Sequence, residues 1–305
     1  MNILLTGSTG MVGKNILECN AAFKHSFFTP SSSEMDLLNL DSVKHYLNQY
    51  DIDAVIHSAG LVGGIQANIK HPVDFFYNNM QMGLNIIKES HNQGIKKLIN
   101  LGSSCMYPRN APNPLREEMI LQGELEPTNE GYALAKIGCA KLCNYIAMED
   151  NTYSYRTLIP CNLFGRHDKF STNNSHMIPA VIAKLHQANE MQAREVEIWG
   201  DGTARREFMY AGDLAEMVLD ALRKIDALPQ ITNIGLGHDY SIEEYYEAIA
   251  DVVGYNGNFK YDLTRPVGMK QKLVDVELMN SLNWTCRTPL KAGIEKTYKF
   301  FLEQL

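Results

Sequence analysis

Long apolar runs are missing from this 305-residue chain. None approaches the roughly 18 to 20 residues that a membrane span needs, and the start, MNILLTGSTG, shows neither a basic leader nor a small-residue cleavage site. The expectation is a cytoplasmic protein with no membrane contact. A basic excess is missing too: 28 Lys and Arg stand against 35 Asp and Glu, a formal net charge of −7. Nucleic acid is therefore not an expected partner, and any anionic ligand must meet a local patch. The six cysteines (Cys19, Cys105, Cys139, Cys143, Cys161, Cys286) form no C-x-x-C pair and no zinc-like cluster. No metal is expected, and most of these thiols should pack as small hydrophobes. Repeats and low-complexity tracts are also absent. What remains is a composition 45% hydrophobic, enough for one large domain or two intimately joined ones.

β-type runs at 2–5, 27–29, 54–58, Lys97–Leu101, 155–159 and Ile231–Ile234 alternate with helical patterns at 11–19, 72–91, 132–149 and 213–223. That rhythm predicts a parallel sheet covered on both faces. After Gly165 it breaks into a polar segment, 166–175, a helix over Met177–Glu190 and a tight turn at Gly200–Gly202. Helices over Ile242–Val253 and 290–305 read as peripheral. The expected division is a dinucleotide-binding domain of residues 1–165 with 210–238 returning to it. Residues 166–209 and 239–305 are left for a substrate-binding region.

Thr6-Gly7-Ser8-Thr9-Gly10-Met11-Val12-Gly13 fits G-x-x-G-x-x-G directly after a strand and opening a helix. Gly7 supplies a tight turn, Gly10 lets the backbone approach a pyrophosphate, and Gly13 permits close helix–strand packing. This is a Rossmann-type pattern. The fold class is then α/β: a doubly wound parallel sheet with a smaller mixed α/β substrate-binding region formed mainly by the C-terminal part. An NAD site usually carries an acid at the end of the second strand, about 20 positions on. Phe27-Phe-Thr-Pro-Ser-Ser-Ser33 has none, so NADP(H) is favoured and NAD remains possible. Ser32 is the candidate for the 2′-phosphate, and Asp36 and Leu37 for the adenine, with a capping role for Asp36 equally open. Met11, Val12 and Ala59, just past the third predicted strand, complete the candidate cofactor contacts.

Tyr132-Ala-Leu-Ala-Lys136 is Y-x-x-x-K, whose i, i+4 spacing puts both side chains on one helix face, where the ammonium can favour phenolate. About 30 residues upstream, Gly102-Ser103-Ser104-Cys105 ends a predicted strand, the place where open parallel sheets bind ligands. Ser103 can hold a carbonyl oxygen that Tyr132 protonates while hydride arrives from a nicotinamide.

With the glycine turn, the strand-end serine and Y-x-x-x-K, the chain resembles the extended short-chain dehydrogenase/reductase family. It is most similar to the branch that epimerises at C3 and C5, then reduces at C4, GDP-4-keto-6-deoxy sugars. Gly102-Ser-Ser-Cys-Met-Tyr-Pro108, Leu125-Glu-Pro-Thr-Asn-Glu130, Asn162-Leu-Phe-Gly165, Asn174-Ser-His-Met-Ile-Pro179, Trp199-Gly-Asp-Gly-Thr203 and Arg206-Glu-Phe208 carry that similarity, to about residue 210 with a looser match beyond. It implies a GDP-sugar substrate, hexose or heptose, and a homodimer built on helices such as the one carrying Tyr132. The catalytic group would be Ser103 (Ser104 a close second), Tyr132, and Lys136, which also touches cofactor. Cys105 would be the epimerising base and His176 its acid. Arg206 would hold the diphosphate, and Lys184 stands where the family commonly has arginine. Asn162, Trp199, Arg265 and Lys272 are softer substrate candidates. Retention of the Cys105/His176 pair as a relic in a pure C4 reductase stays open. A nucleotide-sugar 4-epimerase or dehydratase fits less well, the first having no evident use for the Cys105/His176 pair and the second lacking its acidic pair in Ser103-Ser104-Cys105. So does a non-catalytic NADP(H) sensor, which would have little use for an intact Tyr132 and Lys136.

Overall fold

The computed structural model describes residues 1–170, 175–265 and 269–305. In chain order its strands are β1 (Asn2–Thr6), β2 (Ser26–Phe28), β3 (Ala54–His57), β4 (Lys97–Leu101), β5 (Ser154–Pro160), β6 (Asn162–Phe164), β7 (Glu195–Trp199), β8 (Arg205–Arg206), β9 (Phe208–Tyr210), β10 (Ile231–Ile234), β11 (Tyr240–Ser241), β12 (Asn258–Asp262) and β13 (Gln271–Lys272). Six of them form one all-parallel sheet in the order β10-β5-β4-β3-β1-β2. Ile3, Leu4, Leu5, Val55, Ile56, Leu98 and Ile99 are fully buried, which is what a sheet covered on both faces demands and why these strands read as continuous apolar runs. The sheet is the doubly wound α/β fold the sequence predicted.

Helices α1 (Met11–Glu18), α2 (Leu40–Gln49), α3 (Ile65–Lys70), α4 (Pro72–Asn92) and α5 (Glu130–Glu149) wrap this sheet, followed by α6 (Met177–Glu190), α7 (Ala211–Arg223) and α8 (Ile242–Val253). Local chemistry sets several boundaries. Pro72 opens α4 at its first position, where no N–H is needed. Asn39 caps α2 by accepting from the Ser42 N–H. Ser241 and Glu244 form a reciprocal capping box on α8, and Gly254 closes it in the left-handed region at φ +83°. Among the described residues no helix is long and apolar enough to cross a membrane.

The helices expected to be peripheral are not. Tyr245 and Ile249 of α8 and Ile294 of the last helix, Leu290–Leu302, are fully buried in a second core with Ile178, Ile182 and Leu185 of α6. Their apolar stripes close that core against β6 and β9 rather than covering the main sheet. Two- and three-stranded pairings, β12-β7, β6-β9 and β11-β8-β13, complete this part.

Glu207 joins the two parts. It is fully buried between β8 and β9, and its carboxylate accepts from the backbone N–H of Leu236 (2.6 Å), Gly237 (2.9 Å) and Val274 (3.0 Å). A Cβ on Gly235 would sit 2.4 Å from its Oε1, so only glycine admits the carboxylate there. Burial outweighs the three donors and pushes its pKa up to about 7. The sign is unusual for a carboxyl group. The folded state binds the proton more tightly than the unfolded state, so this group's contribution is intact below about pH 4.5 and declines as pH rises towards 7. The amount is about 3 kcal/mol. Unfolding in denaturant at several pH values should show this fall in the wild type, and Glu207→Gln should flatten it; parallel profiles for the two proteins would refute the assignment.

Candidate active site

The dinucleotide turn sits where the doubly wound order reverses. Gly7 leaves β1 at φ +72° and lies against the loop after β3, such that a Cβ on it would meet Ala59 Cα at 2.7 Å. A Cβ on Gly13 would meet the Gly7 carbonyl oxygen at 2.3 Å, so α1 can approach the strand only with glycine here. Gly10 differs. It is exposed, and its nearest neighbour, Gly7 O, lies at 3.4 Å. The absent side chain there clears the α1 N-terminus for a phosphate. Val12 packs its side chain on the core, so its backbone amide is what remains for a ligand.

The stretch after β2 holds a group that the sequence reading passed over. Glu34, one residue beyond the acid-free run, turns back so that its carboxylate accepts from the Ser31 N–H (2.8 Å) and hydroxyl (2.7 Å), which hold it below the usual carboxylate range. Ser31-x-x-Glu34 has the spacing of a capping box, the signal that was available. Ser32 is exposed beside it. Asp36 caps no helix, the cap of α2 being Asn39: its Oδ1 accepts from the Leu38 N–H (3.0 Å) within a turn, while Leu37 packs on the core and its carbonyl accepts from Asn85.

At the carboxyl end of β4, Ser103 starts a single 3₁₀ turn, Ser104–Met106, and its Oγ faces the Cys105 N–H at 3.4 Å. Cys105 is buried in that turn between Ser104 and a fully buried Met106. Helix α5 brings Tyr132 to the same place, its ring set edge-on to Phe75 at 6.4 Å between centroids and its hydroxyl favoured towards phenolate by Ser103. Lys136 lies on the same face but not on the hydroxyl. Its Nζ is 5.8 Å from the Tyr132 ring centre and donates to the Leu101 carbonyl at 2.9 Å. Burial raises Tyr132 far above the ordinary phenol range and lowers Lys136. Burial likewise pushes the Cys105 thiol up, with Lys272, Ser103 and Lys136 pulling it back.

His176 is carried by a different element from Cys105 and Tyr132. It precedes α6, accessible to water yet walled by enough protein to lower its pKa. Ser175 O beside it lies 3.6 Å from the Cβ position of Gly64, and the Cβ position of Gly60 in the same loop lies 3.7 Å from Lys136 Nζ. Buried Asn79 pins that loop by accepting from the Leu61 N–H (2.9 Å) and donating to the Leu61 carbonyl (3.0 Å). No direct contact joins Cys105 to His176 among the described residues. Residues 171–174, including Asn174 of the predicted motif, lie outside them.

The remaining candidates line the second part. Lys184 donates to the Glu197 carbonyl, with its Nζ 5.9 Å from the Tyr246 ring centre. The Arg265 guanidinium lies 5.0 Å over half-exposed Trp199, steadied by Asp262 at 3.2 Å. Asn162 donates to the Glu207 carbonyl (2.9 Å), a structural bond. Register in the β8-β13 pair sets Arg206 opposite Lys272, and Glu126 acts on both cations. Glu126 also borders a cavity of about 610 Å³ lined by Arg109, Asn113, Arg205, Lys270 and Gln271. Arg205, absent from the sequence candidates, is tied to Asp239 at 2.6 Å. The arrangement joins a proton donor, a thiol and a row of cations beside a dinucleotide turn, a set suited to carbonyl reduction next to acidic C–H bonds.

Comparison with known proteins agrees with this chemistry. A GDP-L-colitose synthase of Yersinia pseudotuberculosis is 54% identical over 304 residues, covering 100% of this chain and 99% of the relative. A GDP-L-fucose synthase of Azorhizobium caulinodans is 45% identical over 300 residues, 98% of this chain and 96% of its own. The structure of the GDP-mannoheptose C4 reductase from Campylobacter jejuni with NADP bound superposes with a TM-score of 0.89 at 29% identity, over 99% of this chain and 98% of that one. Residues 3–235 match the model of the NAD dependent epimerase/dehydratase family, and with relatives this similar along its whole length the chain belongs to that family, as an oxidoreductase of its extended short-chain dehydrogenase/reductase type.

Proposed function

We propose that this chain uses NADPH to reduce the C4 ketone of a GDP-4-keto-6-deoxy sugar after inverting the neighbouring carbon or carbons. The observation that carries the reading is the convergence of Ser103, Cys105, Tyr132 and Lys136 at the carboxyl end of β4. The open N-terminus of α1 fits a pyrophosphate, so residues 1–165 with 210–238 would hold the cofactor and the rest the sugar nucleotide. NADPH supplies a hydride when bound; NADH is the weaker alternative. Cys105 takes the proton beside the ketone, the electron pair moves onto the C4 oxygen held by Ser103 and Tyr132, and His176 returns a proton from the opposite face. Tyr132 then protonates the C4 oxygen during reduction. Arg206 and Lys184 hold the diphosphate, while Trp199 and Arg265 cover a base or sugar face.

The sugar is the open choice within this reading. Colitose is fucose without its C3 hydroxyl, so a colitose precursor requires inversion at C5 alone. NADPH oxidation followed at the nicotinamide band, with GDP-4-keto-6-deoxymannose, its 3-deoxy counterpart and a 4-keto-heptose run side by side, ranks the substrates. No oxidation with any of them would sink the proposal. C4 reduction without inversion is a second reading, favoured by the raised Cys105 thiol; solvent deuterium in the product decides between the two.

A cytoplasmic homodimer completes the proposal. Val73 (74% exposed), Phe76 and Tyr77 on α4, with Leu134, Tyr145 and Met148 (71%) on α5, place large apolar side chains on the outer faces of two adjacent helices. Light scattering should return twice the chain mass, and a monomer at assay concentration would reject this part.

A further inference from the structure

The turn after β2 carries the acid that the run 27–33 lacks. The β1–β2 ladder pairs Leu4 with Phe28, and three residues beyond that pair stand Gly7 on one segment and Ser31 on the other. The Ser31 turn thus begins at the same end of the sheet as the dinucleotide turn, on the neighbouring strand, where an adenosine ribose lies in sites of this kind. The turn is firmly built. Ser31 O accepts from the Glu34 N–H (3.1 Å) and the Met35 N–H (2.9 Å), Met35 is buried in the core with Val43 and Leu47 of α2, and the Asp36 N–H donates to Ser42 Oγ on that helix (2.9 Å). Residues 31–34 are themselves exposed. Both Ser31 donors go to one carboxylate oxygen of Glu34, Oε2 (2.8 and 2.7 Å), and the Ser33 hydroxyl lies against that of Ser31 (2.9 Å). Glu34 Oε1 has no hydrogen-bond partner among the described residues, and no cation pairs with the carboxylate there. Neither 26–43 nor the glycine turn 7–13 contains a lysine or arginine. What the turn offers a 2′-phosphate is one free hydroxyl, Ser32, against a fixed anion.

We propose that Glu34 sets the choice between NADPH and NADH: its free carboxylate oxygen accepts from a ribose 2′-hydroxyl and its charge opposes a 2′-phosphate, so that the preference for NADPH is narrow and NADH remains a working cofactor. This rests on the glycine turn as the dinucleotide site and on nothing about the sugar. A phosphate monoester carries roughly −1.5 to −2 near pH 7, and with no basic residue in either turn that charge meets the carboxylate unneutralised. Ser31 does the positioning: without its two donors Glu34 would swing freely into solvent, and the discrimination would fade with it.

The test is binding, with no sugar present. NADPH and NADH are titrated separately into the intact protein at low salt and followed by nicotinamide fluorescence, with 2′,5′-ADP and 5′-AMP as competitors that carry the adenosine end alone. Glu34→Gln keeps an oxygen for both Ser31 donors and removes only the charge. It should tighten NADPH and 2′,5′-ADP by about tenfold, with NADH and 5′-AMP bound no tighter than in the wild type, and added salt should narrow the gain. A ratio of the two cofactor Kd values that stays within about twofold of the wild type, or that moves towards NADH, would overturn the proposal. Equal tightening of both cofactors falls under that outcome, since it reports a rearranged loop rather than a charge at the 2′ position. Wild-type protein that binds neither cofactor would refute the dinucleotide reading itself.

Discussion

Tyr132→Phe is expected to lower the rate of C4 reduction by about 10²- to 10⁴-fold, the usual worth of a positioned general acid, with little change in NADPH affinity. The phenol oxygen is the only atom removed. The ring keeps its edge-on contact with Phe75 at 6.4 Å between centroids, so the loss reports chemistry rather than collapse. Burial holds the Tyr132 hydroxyl protonated far above neutrality, which suits a group that must give a proton to an oxygen gaining hydride. Reduction should therefore show no loss across neutral pH from Tyr132 ionising. Single-turnover NADPH oxidation on a pre-epimerised substrate is the measurement, since it bypasses the earlier steps. A variant within about tenfold of wild type, too small for the loss of a general acid, would remove Tyr132 from the reaction.

The second large effect belongs to Cys105. Changing it to Ser replaces the thiol by a hydroxyl far too weak an acid to supply a base at neutral pH, in a turn whose backbone already accommodates serines at 103 and 104. Solvent deuterium uptake beside the ketone should fall at least about 100-fold, while direct reduction of a pre-inverted sugar stays within a few-fold. His176→Asn should impair the same exchange from the other face. The signs of the pH effects differ. Burial raises Cys105 and lowers His176, so exchange that depends on the thiolate rises with pH, whereas a protonated imidazole is lost as pH rises. If both variants take up deuterium like wild type, the pair is not the epimerase machinery.

Much of this site was legible in the sequence because its signals are local. A G-x-x-G-x-x-G turn after an apolar strand, and Y-x-x-x-K on one helix face, each lie within a few residues and obey fixed periodicities. The central strands were equally plain, since Ile3 to Leu5 and Leu98 to Ile99 are buried on both faces. Lys272, Glu207 and Arg205 belong to pairings made across the chain. β8, β11 and β13 have two residues each, too few for any alternation to appear. Glu207 in Arg206-Glu-Phe208 reads as an ordinary surface acid until Val274 and Gly235 close over it. The second core was misread for a related reason: amphipathic helices announce an apolar face but not its partner, and α8 was as consistent with the rim as with the interior.

Residues 205–210 have a consequence for how the molecule comes apart. Along these six positions the chain pairs with β11 and β13 through Arg205 and Arg206, sends Glu207 to the Leu236 and Val274 amides, and buries Phe208 and Tyr210 in one core and Met209 in the other. Neither core can melt without freeing side chains that the other still holds. The two halves of the chain should therefore unfold as a single cooperative unit, with amides near β9 opening to solvent only in global unfolding. A hinge through this segment would break these pairings and open both cores.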